Sequence, residues 1–78
     1  MNSKEALELI EVRRLLSSGE ARRIRTASGL SLSEVAGVVG VSTAAISRWE
    51  TGGRKPTGRA ALAYGRLLAR LEETAKTP

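Results

Sequence analysis

Seventy-eight residues with a formal charge of +5 make room for one small domain, and no second effector or catalytic domain is expected. The chain has no Cys, no His and no Asp, which excludes disulfides and thiolate metal sites and removes the usual bases, triads and metal ligands, so neither enzymatic activity nor a metal or other cofactor is expected. No apolar run approaches the ~20 residues of a membrane span and no signal-peptide core opens the chain, which predicts a cytoplasmic protein without a membrane partner.

The charge is unevenly spread. Residues 1 to 20 hold three cations against four carboxylates, residues 21 to 71 hold nine against two, and the last seven hold one against two. A phosphate-binding surface requires such a concentration. A merely solvated basic face would give the same totals, so the charge has to be weighed with the motifs it accompanies.

In chain order, Ser3 is placed to cap a helix running to about Leu16, with Ser17, Ser18 and Gly19 as its stop. Its apolar residues Ala6, Leu7, Leu9, Ile10, Val12 and Leu16 cover more than half of the helical wheel, wider than the ~100° stripe needed for one surface. Either this helix meets a partner as well as its own domain, or it enlarges a small core. A second helix is expected from about Gly19 to Ala27, with Ala21, Ile24 and Ala27 inward, Arg22 and Arg23 outward, and Ser28-Gly29 at its end.

Ser31 and Glu34 form a capping-box pair at the head of a third helix, in which Leu32, Val35, Ala36 and Val39 make one buried stripe. Gly37 inside it costs about 1 kcal/mol relative to Ala, a cost tolerable if a neighbouring helix packs close at that point. Gly40 suits a left-handed turn and Ser42 a cap for the next helix, about Thr43 to Thr51. On that helix Ala45, Ile46 and Trp49 gather on one side, while Thr43, Ala44, Ser47 and Arg48 gather on the other. Two helix-length patterns thus meet at a glycine in LSEVAGVVGVSTAAISRWE, the layout of a helix-turn-helix. The loop Gly52-Gly53-Arg54-Lys55-Pro56 follows, and Thr57 is placed to cap a last helix to about Glu73, with Ala61, Tyr64, Leu68 and Leu71 as its core stripe.

Four stretches together resemble the Cro-type, or XRE-type, helix-turn-helix family that contains the lambda and 434 repressors. Ala21 to Arg25 is similar to I-R-x-L-R. Ser31 to Ala36 with Gly40-Val41-Ser42 resembles the first motif helix and its turn, Ile46 to Glu50 resembles I-S-x-W-E, and Glu50, Gly52, Arg54 and Pro56 match E-x-G-x-R-x-P. The resemblance implies an all-α, five-helix, lambda-repressor-like fold. In the family the second motif helix lies in the major groove of double-stranded DNA, which assigns Thr43, Ala44, Ser47 and Arg48 to base edges. Arg48 is the one side chain there able to grip a guanine with two hydrogen bonds. Backbone and minor-groove contacts fall to Gly53, Arg54 and Lys55, with Arg22, Arg23, Ser31 and Ser42 as further phosphate candidates. Arg25 and Glu50 match positions that form a structural ion pair.

Two departures stand out. Leu32 and Thr43 occupy positions where the family often has Gln, so direct base contacts are fewer than usual. The N-terminal helix is additional, while the family's fifth helix is either absent or fused into the long last one. The division expected is residues 1–18 as an N-terminal helix with a possible role in dimerisation, 19–73 as the DNA-binding domain, and 74–78 as a flexible tail. The function implied is that of a sequence-specific transcriptional regulator, a small repressor of a phage, mobile element or bacterium that binds DNA as a homodimer. The alternatives are an antitoxin, an accessory factor recruiting a protein partner through the acidic first helix, or a helix-turn-helix used only for protein interaction.

Overall fold

In a computed structural model of the protein, which describes residues 1–76, local capping signals set most helix boundaries. The order is α1 (Ser3–Ser18), α2 (Glu20–Ala27), α3 (Leu32–Val39), α4 (Thr43–Thr51) and α5 (Gly58–Lys76). No strand occurs among the described residues. The cap of α1 is Asn2 rather than Ser3: its Oδ1 accepts from the Glu5 amide at 2.8 Å while Glu5 reaches back to the Asn2 N–H, a full capping box. Ser17 and Ser18 do not stop the helix, because each hydroxyl donates to a carbonyl three residues back. Gly19, at φ 84°, is what ends it.

Other boundaries also shift. The buried stripe of α2 runs through Ala21, Ile24 and Arg25, which leaves Ala27 exposed. At the far end α5 continues unbroken to Lys76, past the expected stop at Glu73. Of the expected flexible tail, Thr74 to Lys76 are therefore helical, and positions 77 and 78 lie outside the described residues.

All five helices feed one core. Val12, Val35, Ile46, Tyr64 and Leu68 are its largest fully buried side chains, drawn from α1, α3, α4 and α5, and Ala21 and Ile24 join them from α2. Helix α1 contributes Leu9, Val12, Leu15 and Leu16 and packs on α2, α4 and α5. Burying an aliphatic side chain of this size is worth about 1.5–3 kcal/mol, so these four outweigh the margin of about 3–5 kcal/mol that a core of this size supplies. Residues 1–18 are consequently part of the folding unit and not a separable arm. The wide apolar arc of α1 is only partly used, since Leu7 and Ile10 remain 67% and 61% exposed.

Two kinds of contact join α1 to α5. A Cβ at Gly65 would lie 3.0 Å from the Val12 Cβ, so the missing side chain sets how closely the helices approach. Around that contact Glu5 pairs with Arg59 at 3.1 Å and Glu8 takes Arg66 through two bonds of 3.0 and 3.1 Å. The Arg66 hydrogen bonds hold the Glu8 carboxyl below its ordinary range. Exposed pairs of this kind add little stability.

A buried polar cluster ties α2, α4 and α5 together. Arg25 donates from Nε and Nη2 to the two oxygens of Glu50 at 2.7 and 2.9 Å, and its Nη1 donates to the Leu30 carbonyl at 2.9 Å. The Tyr64 hydroxyl donates to Glu50 Oε2 at 2.8 Å. Both charged side chains are under one-tenth exposed, and no buried side-chain polar atom among the described residues lacks a partner. A satisfied network of this sort rigidifies, whereas loss of either ion leaves a buried charge alone at a cost of about 3–5 kcal/mol.

Gly37 does not mark a close helix contact. It is exposed, and nothing lies within 4 Å of where its Cβ would be. Gly37→Ala should therefore raise stability by about 1 kcal/mol through helix propensity alone. Gly65→Ala should lower it, because the Val12 Cβ at 3.0 Å is fixed by the backbone of α1 and overpacking costs about 1–3 kcal/mol. Denaturant unfolding of both variants checks the opposite signs, and Val12→Ala, which removes the two γ-methyls but keeps the Cβ at 3.0 Å, should relieve the penalty at Gly65 only in part.

Burial first, and the Glu50 carboxylate next, raise the Tyr64 phenol above its ordinary value near 10. From about pH 10 upward the folded chain keeps a proton that the unfolded chain releases, so this stabilisation is complete below about pH 10 and declines as pH rises through the raised value. Tyr64 is the sole tyrosine, so tyrosinate absorbance isolates it. Its absorbance should rise together with alkaline loss of helix; a titration near 10 with the helices intact would contradict its burial.

Candidate nucleic-acid interface

The turn between α3 and α4 is built from backbone constraints. Gly40 adopts φ 87°, its N–H and that of Val41 both return to the Ala36 carbonyl at 2.8 and 3.1 Å, and Val41 packs half-buried on the core. This closes α3 and leads the chain into α4 after three residues. Ser42 then caps α4 through Oγ, which accepts from the Ala45 amide at 3.1 Å. Helix α4 buries Ile46 and Trp49 against the core, with Trp49 stacked on Tyr64 at 6.4 Å between ring centroids. Glu50 on the same helix is held by Arg25, so the axis and the roll of α4 are both fixed from behind.

Its outer face carries the expected set. Thr43, Ala44 and Arg48 are exposed and Ser47 is half-buried. These side chains are short apart from Arg48, so a flat partner can approach the helix closely and Arg48 alone extends from it. Leu32, at the head of α3, turns partly onto the core and offers nothing polar.

The phosphate candidates divide by what already occupies them. Arg22 is exposed and free of any carboxylate within ion-pair distance among the described residues, as are Arg48, Arg54 and Lys55. Arg23, in contrast, is engaged by Glu20 through bonds of 2.7 and 3.2 Å. Ser31 is equally committed: its Oγ accepts from the Glu34 amide and its own N–H donates to Glu34 Oε1 at 2.9 Å. Those bonds lower the Glu34 pKa, so an ionised carboxylate sits where a phosphate at the α3 N-terminus would have to lie. Helix α4 has no acidic residue in its first turn, which leaves the dipole beside Ser42 uncompensated and hospitable to an anion.

After α4, Gly52 at φ 81° turns the chain into the loop bearing Gly53, Arg54 and Lys55. The Arg54 N–H returns to the Arg48 carbonyl at 3.3 Å, which ties the loop to the end of the outer face. On its other side the Pro56 carbonyl accepts from Arg13 Nε of α1 at 3.0 Å. Sequence reasoning did not single out Arg13. Its partner is 43 residues away, and no local periodicity encodes such a contact.

The acidic groups of α1 are not presented outward as a set. Glu5 and Glu8 are paired with Arg59 and Arg66 of α5, and Glu11 with Arg14. No described group of residues could hold a metal ion, and no described helix is long and apolar enough to cross a membrane.

A family model for the helix-turn-helix matches residues 22–72, from α2 into α5, and leaves α1 outside. Neither the curated proteins nor the solved structures include a match. The matched span covers most of the chain and contains the Arg25–Glu50 tie, the α3–α4 turn and the exposed face of α4, and on these grounds the chain belongs to the XRE-type helix-turn-helix family of DNA-binding transcription regulators, whose members bind double-stranded DNA.

Proposed function

We propose that the protein is a sequence-specific repressor that reads one face of duplex DNA with Thr43, Ala44, Ser47 and Arg48. The observation that carries this reading is the outer face of α4: small side chains around one long cation that has no ion-pair partner among the described residues. Arg48 contacts a guanine, and Ala44 with the Thr43 methyl meets a thymine methyl. Arg22, Ser42, Gly53, Arg54 and Lys55 hold the sugar–phosphate backbone, while Arg23 and Ser31 rank below them because Glu20 and Glu34 already engage them. With so few side chains at base edges, DNA shape carries part of the specificity.

Repression by occupancy is favoured over recruitment through an acidic surface, because the carboxylates of α1 are tied up within the molecule. The operator-bound form is a homodimer on half-sites about 34–36 Å apart, and the exposed Leu7 on α1 supports self-association. Deleting α1 cannot test this, since the core goes with it.

Arg48→Ala should reduce the preference for the best duplex over a base-substituted one by about 5- to 150-fold, equivalent to about 1–3 kcal/mol, with helix content and unfolding midpoint unchanged because the side chain is exposed. Unaltered discrimination would remove Arg48 from the reading surface. Selection from a random duplex library should return a two-fold symmetric site, and Leu7→Lys should shift sedimentation in the presence of that site from two copies towards one. An asymmetric site bound by a single copy would overturn the dimer.

A further inference from the structure

The C-terminal half of α1 and the loop after α4 face each other across a groove of about 480 Å³. Arg13 and Ser17 line it from α1, and Arg54 and Lys55 from the loop. Three of these four are cations without a carboxylate within ion-pair distance among the described residues. Arg14 lines the groove as well but differs, since Glu11 pairs with it. On α5 Arg59 and Arg66 have acidic partners; what sets this groove apart is that three cations without such partners line one cleft.

Arg13 is also prepositioned. Its Nε–H is given to the Pro56 carbonyl at 3.0 Å, which fixes the plane of the guanidinium and leaves its two terminal nitrogens with no protein partner among the described residues. The same bond holds one end of the loop, and the Arg54 N–H to Arg48 carbonyl bond holds the other. The groove therefore continues from the end of the recognition face, and its cations are held by rigid elements on both sides.

We propose that this groove receives the phosphodiester backbone of the bound duplex and that Arg13, on a helix outside the matched residues 22–72, is a direct phosphate contact acting with Arg54 and Lys55. The proposal rests on the duplex-binding reading above. Its chemistry is that of planar, multi-donor recognition of phosphate oxygens by a guanidinium, and it extends the backbone contact beyond the helix-turn-helix to the first helix of the chain.

The salt dependence of binding tests it. Each neutralised phosphate contributes about 0.9 to the slope of log K against log salt, so Arg13→Gln should flatten the slope by about 0.9 on the selected site and on unrelated duplex alike. Arg13→Lys keeps the charge but not the guanidinium fork and should retain most of the slope. Arg70→Gln, in a separate cleft between α1 and α5, should leave it unchanged. With the wild-type chain, duplex should shield Arg13 from phenylglyoxal while Arg70 stays reactive, a measurement that needs no variant to fold. Unchanged slope in a folded Arg13→Gln, equal loss in Arg13→Lys and Arg13→Gln, or an Arg13 as reactive with duplex as without it would each overturn the contact. Failure of the wild-type chain to bind any duplex at low salt would instead remove the duplex-binding reading and the groove's ligand with it.

Discussion

The two-pronged bond between Arg25 and Glu50 is the constraint on which the rest of the structure depends. It joins the second helix to the end of the fourth, and Tyr64 adds the fifth through the same carboxylate. In a core made largely of Ala, Val, Leu and Ile, apolar contacts tolerate some sliding and rotation. Fixed donors and acceptors do not. Trp49 supplies the area that makes α4 stick, and Glu50 supplies the angle at which it sticks. The face opposite them inherits that angle, which is how a nine-residue helix can present Thr43, Ala44, Ser47 and Arg48 in one orientation.

Helix α1 serves two sides of the molecule at once. Inward, its four aliphatic side chains complete a core that α2 to α5 would leave open. Sideways, Arg13 braces the loop that bears Arg54 and Lys55. The order of the loop thus depends on a helix remote from it in sequence, and the Gly65–Val12 contact, which sets the spacing of α1 and α5, lies upstream of both roles.

Local chemistry made the central motif legible. Ser31 with Glu34, Gly40, Ser42 and Gly52 each act within a few residues of themselves, so their caps and turns can be read from the string and are found as read. The burial of Ile46 and Trp49 follows from helical periodicity in the same way. What escaped is non-local. Periodicity gives α1 a broad apolar arc without saying which part faces α5, and it does not separate buried Leu15 from exposed Leu7 and Ile10. Gly37 and Gly65 are alike as letters in a helix, yet one faces solvent and the other Val12. Among the phosphate candidates, Arg23 and Ser31 have the right chemistry but are occupied by acids three residues away, and nothing in a count of cations separates them from Arg22. The α5 boundary moved because no glycine or proline interrupts Thr74 to Lys76, and helix persists by default.

The stacking of Trp49 on Tyr64 has an optical consequence. They are the only aromatic residues in the chain, and at 6.4 Å between centroids excitation absorbed by the phenol passes to the indole before it can be emitted. Emission from the folded protein is therefore that of one tryptophan seated behind the recognition helix, and a tyrosine band emerges only when α4 separates from α5. The docking of that helix on its scaffold carries its own internal ruler, readable without a label.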